Sequence, residues 1–325
     1  MLKKKYTIYA NCQGQALARV LNSSQAFREK YQYFQIKPVQ EINLDYLNNF
    51  INSVIPQIDL FIFQPVSEKY KNYFRYSSKY ITSHLKKDCR QLSFPSCYFQ
   101  GYHPELRTLK DKNGTNISVP IYWNKKILHS TLVHDGNIIA GFCNRKSIID
   151  IKNQFLYPDF YSKNFLESNL FKTLKTLSSR ERTQNIDIGI SLFMDNNFKG
   201  QRLYHTMNHP QKLVFQYLAE CILDILQIEK DIKSIPDVLG HQTYPIYEST
   251  YKKLGLQFKN IPQYHIRQQS LEIEDVIKQY FEFYKTIPME ILRNNIRTYA
   301  VPLYMVHKFV FFKILSLQLV PLRKS

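Results

Sequence analysis

Residues 6–15 are Tyr6-Thr7-Ile8-Tyr9-Ala10-Asn11-Cys12-Gln13-Gly14-Gln15. The first five favour a β-strand, the next four form a polar turn, and a helical pattern continues to Leu21. Backbone N–H groups and a helix N-terminus converge at such a turn, where they stabilise negative charge and lower the pKa of a thiol. We therefore expect Cys12 to be a nucleophile or to mark an oxyanion hole, and the alternative is a small buried side chain beneath the turn.

Two further apolar runs resemble the first. Residues 58–63 end at Gln64-Pro65, residues 92–99 precede Gly101-Tyr102-His103-Pro104-Glu105, and residues 43–55 have helical spacing. This order predicts an α/β fold of three layers, in which helices flank a parallel sheet and ligands bind at the carboxyl ends of the strands. We predict one domain over residues 1–235 and a mainly helical C-terminal extension over residues 236–325, with a helix from about residue 273 to 284.

The composition limits the kinds of partner. A net charge of +18 over 325 residues favours anionic partners, although a general bias toward Lys, Asn, Ile and Tyr also explains it. The basic residues are scattered, and no RNA-binding aromatic signature or zinc-finger spacing occurs, so nucleic acid is not an expected partner. Five cysteines without a CxxC pair do not form a disulfide framework, which favours a reducing cytoplasm.

The apolar run of residues 6–10 is too short for the core of a signal peptide, and no uninterrupted apolar run reaches transmembrane length. The basic and apolar tail around residues 309–321 can rest on an anionic membrane at its inner face, or it can be a helix packed on the core. The oligomeric state is not indicated.

A second group of chemically useful residues precedes a predicted long helix. His209 lies before Pro210, a good first residue of a helix, so His209 is expected at the N-cap. The helix dipole would keep its imidazole neutral, as a general base requires, although a purely capping histidine is the alternative. His205 lies four residues earlier, but no HExxH motif or third ligand accompanies the pair, so no metal is expected.

Four further positions are candidates for substrate contact or proton transfer. His103 can contact a phosphate or transfer a proton, and Glu105 can orient an imidazole or bind a sugar hydroxyl, unless both belong to a solvated turn. Gln64 offers a donor and an acceptor at a strand end, and His134 lies in a predicted loop. The absence of GxGxxG, GxxxxGK[ST] and GxSxG argues against nucleotide hydrolysis and dehydrogenase chemistry.

Five short motifs together resemble the WcbI-type polysaccharide biosynthesis enzymes, a bacterial capsule family regarded as acetyltransferases that bind coenzyme A. The resemblance covers roughly residues 5 to 230 and rests on Asn11-Cys12-Gln13, Phe63-Gln64-Pro65, Gly101-Tyr102-His103-Pro104-Glu105, His134-Asp135 and Thr206-Met207-Asn208-His209-Pro210. This family looks related to SGNH-type esterases and acyltransferases, whose fold is flavodoxin-like and whose first-strand turn carries a serine where Cys12 stands here.

The resemblance implies that Cys12, Gln13, His103, Glu105, Asn208 and His209 lie around one cleft. Residue type and proximity in the sequence add further candidates, which give three groups. The catalytic candidates are Cys12, Gln13, His103, Glu105 and His209, and the substrate-binding candidates are Asn11, Gln64, Tyr102, His134 and Asn208. Coenzyme A carries phosphates that arginine binds well, and aromatic rings can stack on its adenine. The residues expected to bind it are Arg180, Arg182, Arg202, Tyr204 and His205.

The function predicted from the sequence is a cytoplasmic O-acetyltransferase that transfers acetyl from acetyl-CoA to a sugar of a capsular or surface polysaccharide. Cys12 either takes the acetyl group as a thiolate, or its N–H and Gln13 hold the oxyanion while His209 deprotonates the sugar hydroxyl. The alternatives are a carbohydrate acyl-esterase, in which water replaces the sugar, and a non-catalytic protein that binds glycan or coenzyme A.

Overall fold

The computed structural model describes residues 2–297. The strands are β1 Lys4–Tyr9, β2 Tyr31–Tyr33, β3 Leu60–Phe63, β4 Arg90–Ser93, β5 Leu106–Lys110, β6 Asn116–Ile117, β7 Val119–Trp123, β8 Lys126–Thr131, β9 Val133–Asp135, β10 Tyr204–Thr206, β11 His209–Pro210, β12 Gln242–Thr243, β13 Tyr264–Ile266 and β14 Gln269–Leu271. The helices are α1 Cys12–Leu21, α2 Gln25–Lys30, α3 Leu44–Asn49, α4 Ser78–Thr82, α5 Gly136–Cys143, α6 Ile148–Leu156, α7 Lys163–Thr183, α8 Ser191–Asn197, α9 Lys212–Leu226, α10 Glu248–Lys253, α11 Ile273–Tyr284 and α12 Met289–Arg297.

A four-stranded sheet organises the N-terminal part of the chain. Its strand order is β2-β1-β3-β4, and every neighbouring pair is parallel. The predicted strands at β1 and β3 are confirmed. The run 92–99 forms a strand only at its start, since β4 ends at Ser93 and residues 94–99 leave the sheet. Strand β2 is too short and too polar to be recognised from its sequence. The order reverses at β1, because the chain pairs β2 on one side of β1 and then β3 on the other. The mixed α/β class with a parallel sheet is therefore confirmed.

Helices cover both faces of this sheet. On one face, Tyr9 and Phe61 pack into a buried cluster with Leu47 and Phe50 from the predicted 43–55 helix, which continues beyond α3 as a π turn and a 3-10 turn. On the other face α1 packs closely, because a Cβ on Gly14 would lie 2.9 Å from the Ala10 Cβ. This close approach requires glycine and holds the first turn of α1 against the end of β1.

The described chain divides into two compact units that do not follow the predicted boundary at residue 235. The first comprises residues 2–106 and 152–276, and the second comprises residues 107–151 and 277–297. Residues 236–276 thus belong to the same unit as the parallel sheet. They contain the antiparallel sheet β12-β13-β14 as well as helices, so this part of the expected extension is not mainly helical.

Several local predictions can be compared with the structure. The helix predicted over residues 273–284 is confirmed as α11, whereas residues 133–139 form β9 and the start of α5 rather than a turn region. The helix expected to begin at Pro210 begins at Lys212. None of the described helices is long and apolar enough to cross a membrane. The predicted tail around residues 309–321 lies outside the described residues.

Candidate functional site

The candidate site lies at the carboxyl ends of β1 and β3, where the strand order of the parallel sheet reverses. Such a reversal opens a crevice between loops that leave the sheet in opposite directions, and open α/β sheets bind ligands there. Asn11, Cys12 and Gln13 follow β1, and Gln64 follows β3. The structure therefore brings together the two polar strand ends that the sequence singled out.

Asn11 starts α1 and makes Cys12 its first residue. The Asn11 side chain accepts a hydrogen bond from the Gln13 N–H at 2.9 Å, as an N-cap residue does. The Cys12 side chain is partly exposed. The Cys12 N–H is one of the first N–H groups of the helix, which have no partner within it, and it lies beside the Cys12 thiol. This position leaves one thiol and one N–H donor at the crevice.

Gln13 is fully buried, and all four hydrogen-bonding positions of its side-chain amide are used. Its Nε2 donates to the main-chain carbonyls of Cys97 and Asn208, both at 2.9 Å. Its Oε1 accepts from Gln64 Nε2 at 2.7 Å and from the Cys97 N–H at 3.0 Å. An amide with no free donor or acceptor has nothing left for a ligand. We predicted a catalytic role for the Gln13 side chain, but its hydrogen bonds give it a structural role. We call Gln13 and Gln64, with the hydrogen bonds they make, the lock.

Gln64 extends this lock to the other strands. Its Oε1 accepts from the Asn11 N–H at 3.2 Å, and its Nε2 donates to Gln13 and, at 3.3 Å, to the Pro95 carbonyl. The Gln64 side chain is 4% exposed. The two glutamines thus join the ends of β1, β3 and β4 to the loop around Asn208. Gln64 fixes the position of the site residues rather than contacting a substrate.

Burial raises the pKa of the Cys12 thiol above its ordinary value. The main-chain N–H groups of Cys12 and Gln13 lower the pKa, as expected at a helix N-terminus, while the Glu41 carboxylate raises it further. Desolvation is the largest of these effects, so the expected depression of the pKa does not occur. Cys12 is accordingly a neutral thiol at pH 7 in the ligand-free protein.

Tyr98 lies near the Cys12 thiol, and Arg180 lies near Tyr98. Tyr98 is 41% exposed and lies within electrostatic range of Cys12 and Arg180. Arg180 is partly exposed on α7, and its Nη1 donates to the Ser96 carbonyl at 3.3 Å. Arg182 is two residues further along α7, and residues two apart on a helix do not share a face. The structure therefore brings Arg180, but not Arg182, to the crevice.

Glu41 was not recognised from the sequence, because an exposed glutamate in a polar loop carries no pattern. It lies on a single 3-10 turn, Val39–Glu41, whose Val39 N–H donates to the Ala10 carbonyl at 2.9 Å. The Lys71 ammonium donates to the carbonyls of Gln40 at 3.0 Å and Ile42 at 2.8 Å, on both sides of Glu41. The main chain around this carboxylate is thus fixed beside the end of β1.

The hairpin of β10 and β11 brings the residues around position 208 to the same place. Asn208 lies in its two-residue turn, accepts from Gln13 through its carbonyl, and accepts from Thr206 Oγ1 through its side chain at 3.0 Å. His209 is the first residue of β11 and is partly exposed, with its ring 5.2 Å from that of His241. It is not an N-cap, because Gln211 holds that position, so the argument from the helix dipole does not apply to it.

His205 is held on both ring nitrogens by protein groups. Nε2 lies 2.9 Å from Asp237 Oδ2, and Nδ1 lies 2.6 Å from Thr243 Oγ1. The same Asp237 carboxylate accepts from the Lys212 N–H at 3.1 Å and so supplies the cap that the N-terminus of α9 lacks. His205 therefore connects residues 237–243 to the hairpin, and its predicted contact with coenzyme A is not supported.

His103 and Glu105 form a fully buried pair. Nδ1 of His103 lies 3.1 Å from Glu105 Oε1, and the His103 side chain has no exposed surface. Burial, together with the nearby positive charge of Arg202, lowers the pKa of His103 well below its usual range, so the imidazole is neutral. Nε2 of His103 has no hydrogen-bond partner among the described residues. The structure thus supports the expectation that Glu105 orients an imidazole but not direct contact of His103 with solvent.

Arg202 and two tyrosines are core residues rather than ligand-binding ones. The Arg202 guanidinium donates to the carbonyls of Tyr204, His205 and Tyr244, and its burial lowers its pKa to about 10. Tyr102 is fully buried and donates to the Phe198 carbonyl at 2.6 Å. Tyr204 is likewise without exposed surface. Stacking of either tyrosine on adenine, and binding of a phosphate by Arg202, are therefore not possible in this arrangement.

His134 lies in the second unit and is also part of a core. Its Nε2 lies 2.9 Å from the Ile117 carbonyl, its Nδ1 lies 3.0 Å from the Tyr284 hydroxyl, and burial lowers its pKa to about 4. The predicted role of His134 in substrate binding is replaced by a structural one. Among residues 2–297, no group of three His, Cys, Asp or Glu side chains is arranged to hold a metal ion.

Comparison with known proteins shows the family and the fold of this chain. The family model described as "Polysaccharide biosynthesis enzyme WcbI" matches residues 5–231, which is more than half of the chain. The chain belongs to the WcbI family. A search of curated proteins gave no match. A solved structure of WcbI, described as a novel polysaccharide biosynthesis enzyme, has a TM-score of 0.78 at 22% identity and covers 94% of this chain and 98% of its own.

That WcbI structure is described as the native protein without a disulfide bond between coenzyme A and one of its cysteines. At 22% identity the likeness shows a shared fold, and the classification as SGNH-like or flavodoxin-like stays a prediction. Within this WcbI family member, the crevice is formed by a part of the predicted set and by two additions. The residues there are Asn11, Cys12, Asn208, His209, Arg180, Glu41 and Tyr98.

Proposed function

We propose that this WcbI family enzyme transfers an acetyl group from acetyl-CoA to a hydroxyl of a polysaccharide sugar. The observation that carries the proposal is the partly exposed Cys12 thiol at the first turn of α1, where the parallel sheet reverses its strand order. The coenzyme A and cysteine named for the related WcbI structure support a thiol-bearing cosubstrate at this position. The family's description as a polysaccharide biosynthesis enzyme supports a sugar acceptor.

The phosphates of the cosubstrate need a cation that is free to contact them. Arg180 meets this need, since its guanidinium makes one hydrogen bond at 3.3 Å and is partly exposed. Guanidinium groups form paired hydrogen bonds with phosphate oxygens. Tyr98 offers the exposed aromatic surface that the buried Tyr102 and Tyr204 do not. We assign the diphosphate or the 3′-phosphate to Arg180 and an aromatic contact to Tyr98.

Direct transfer fits this site better than a covalent acetyl-cysteine. A nucleophilic cysteine must be a thiolate, but burial raises the pKa of Cys12 above its ordinary value. In direct transfer the sugar oxygen attacks the thioester carbonyl as its proton moves to a base. The C–S bond then breaks, and the thiolate of coenzyme A leaves and takes up a proton.

The Cys12 N–H is the donor available to the oxyanion of that intermediate, since the amide of Gln13 is fully used. His209 is the assigned base, because it is the partly exposed histidine next to Asn208 in the hairpin turn. In this mechanism the Cys12 side chain lines the thioester site, and the Cys12 main-chain N–H stabilises the oxyanion.

The test is acetyl transfer from acetyl-CoA to de-O-acetylated polysaccharide, measured as released coenzyme A thiol and as acetylated sugar. The wild type is compared with Cys12→Ala and His209→Ala. We expect Cys12→Ala to retain at least about a tenth of the turnover, because it keeps the main-chain donor. His209→Ala should lose about 100-fold or more, as expected for a general base.

Three results contradict parts of the proposal. Complete loss of turnover in a folded Cys12→Ala variant, with an acetylated Cys12 peptide in the wild type, would establish the covalent route. Acetate release from the acetylated polysaccharide without coenzyme A would favour an esterase. Normal binding of both acetyl-CoA and the polysaccharide without turnover would indicate a non-catalytic binding protein.

A further inference from the structure

The hairpin of β7 and β8 in the second unit exposes an unusual set of side chains. Val119 and Ile121 at its base are fully buried, whereas all six residues 122–127 at its tip are exposed. Gln279 on α11 fixes the boundary between base and tip, since its side chain accepts from the Tyr122 N–H at 2.6 Å and donates to the Tyr122 carbonyl at 3.3 Å. The tip therefore protrudes from a base that Gln279 of α11 holds in place.

Half of this tip is large and apolar. Tyr122 is 42% exposed, Trp123 40% and Ile127 61%. The turn itself is Asn124-Lys125, with φ angles of 48° and 64°, the left-handed pair of a tight two-residue hairpin. Such a turn is rigid, so these apolar groups remain exposed at little cost in conformational entropy. Exposed apolar groups clustered at one tip indicate an interaction site.

The stretch of sequence that forms the tip carries charges of one sign. Lys125 and Lys126 belong to the tip, and residues 112–134 contain no Asp or Glu. The described part of the second unit has 11 Lys and Arg against 5 Asp and Glu, so its net charge is positive. Tryptophan and tyrosine prefer the boundary between lipid headgroups and acyl chains, and lysines attract anionic lipid.

We propose that the β7–β8 tip, residues 122–127, inserts into the surface of an anionic membrane. Trp123, Tyr122 and Ile127 enter the headgroup region, and Lys125 and Lys126 contact lipid phosphates. A glycan partner fits less well, because the tip lacks the carboxylates that commonly bind sugar hydroxyls. A second copy of the chain fits less well, because two copies would bring four lysines of like charge together.

Trp123 makes the test specific, since it is the single tryptophan of the chain. The full-length protein is mixed with vesicles of phosphatidylglycerol and phosphatidylcholine or of phosphatidylcholine alone. Tryptophan emission is recorded, with brominated lipids as quenchers. The expected result is a blue shift and quenching with the anionic vesicles, both reduced by high salt. The readout is local to the tip, so binding through another segment leaves it unchanged.

Two variants keep Trp123 and change its surroundings. Lys125→Asn with Lys126→Gln removes the charge without disturbing the left-handed turn and should weaken binding about tenfold or more. Ile127→Ser should weaken it about fivefold. The matched controls on α7 are Lys172→Gln with Lys175→Gln, and Phe171→Ser, whose side chain is 66% exposed. These controls should change binding by less than twofold.

Any of the following four outcomes would overturn the proposal. Vesicle binding without a change in Trp123 emission, or an equal effect of the tip and α7 variants, would place the contact elsewhere. A blue shift produced by polysaccharide in the absence of lipid would make the tip a glycan site. A shift that depends on protein concentration alone would make it a contact between two copies.

Discussion

Removal of the Gln13 side chain tests whether the buried amides hold the site together. Gln13→Ala deletes hydrogen bonds of 2.9, 2.9, 2.7 and 3.0 Å to three residues, namely Cys97, Asn208 and Gln64. Each such bond contributes about 0.5–1.5 kcal/mol net, so the four sum to about 2–6 kcal/mol. A loss of that size lowers the Tm by about 3–9 °C in a chain of this length.

The isosteric Gln13→Glu variant separates hydrogen bonding from packing. It replaces the donating Nε2 with an oxygen that faces the carbonyls of Cys97 and Asn208, so the ionised form is repelled and the pKa of the introduced carboxyl is raised. A protonated carboxyl still donates one hydrogen bond. The stability of this variant is therefore greatest below the unfolded pKa of about 4.3 and is lost as the pH rises toward the raised folded value.

The assay is thermal unfolding of both variants at several pH values, with Gln35→Ala as the control because Gln35 is exposed. The difference in Tm between wild type and Gln13→Glu should be larger at pH 8 than at pH 5, while that of Gln13→Ala should not depend on pH. Two results together would refute the view that these hydrogen bonds hold the site in place. They are a loss of less than about 1 kcal/mol in the free energy of unfolding for Gln13→Ala, and a Tm difference between wild type and Gln13→Glu that does not change with pH.

Three further predictions concern the packing and charge of the site. Gly14→Ala should destabilise the protein by about 1–3 kcal/mol in chemical unfolding, because the new Cβ lies 2.9 Å from that of Ala10; an unchanged midpoint would contradict this close packing. Alkylation of Cys12 should be slower at pH 7.5 than in the unfolded chain and should still increase above pH 9, and Glu41→Gln should accelerate it; fast alkylation at pH 6 would contradict the raised pKa. Burial alone would raise the pKa of Asp237, but hydrogen bonds from His205 and from main-chain N–H groups hold it below its usual value, so Asp237 stabilises the fold above its unfolded pKa. Asp237→Asn should therefore cost about 1–2 kcal/mol at pH 7, and the Tm difference should shrink as the pH falls below about 4; a constant difference would exclude this charge effect.

The strands and the edge of the sheet that carries the site were predictable because they depend on local patterns. Residues 6–10 and 58–63 are short apolar runs that end at polar turns, and parallel strands place such ends together. The role of Gln13 was not predictable, because its partners Cys97 and Asn208 lie 84 and 195 residues away in the chain. Gln13 was expected to be catalytic because it follows Cys12 in the sequence, whereas in the structure its buried side chain holds the site residues in place.

Residue type alone also failed to separate accessible from buried members of the same class. Arg180 and Arg202 are equally suited to phosphate, but three main-chain carbonyls surround the guanidinium of Arg202. Tyr98 is accessible and Tyr102 is not, although both follow the same strand. The pKa of Cys12 depends on how deeply its turn is buried, which the turn motif does not encode.

Binding of coenzyme A to the wild type, Arg180→Ala and Arg182→Ala by titration calorimetry tests the central claim most directly. The claim is that the crevice at the ends of β1 and β3 holds this cosubstrate. The account predicts saturable binding by the wild type and by Arg182→Ala, and a loss of about tenfold or more in Arg180→Ala, as expected when a charged hydrogen bond to phosphate is removed. No binding by the wild type at millimolar coenzyme A, or equal losses in both arginine variants, would contradict it.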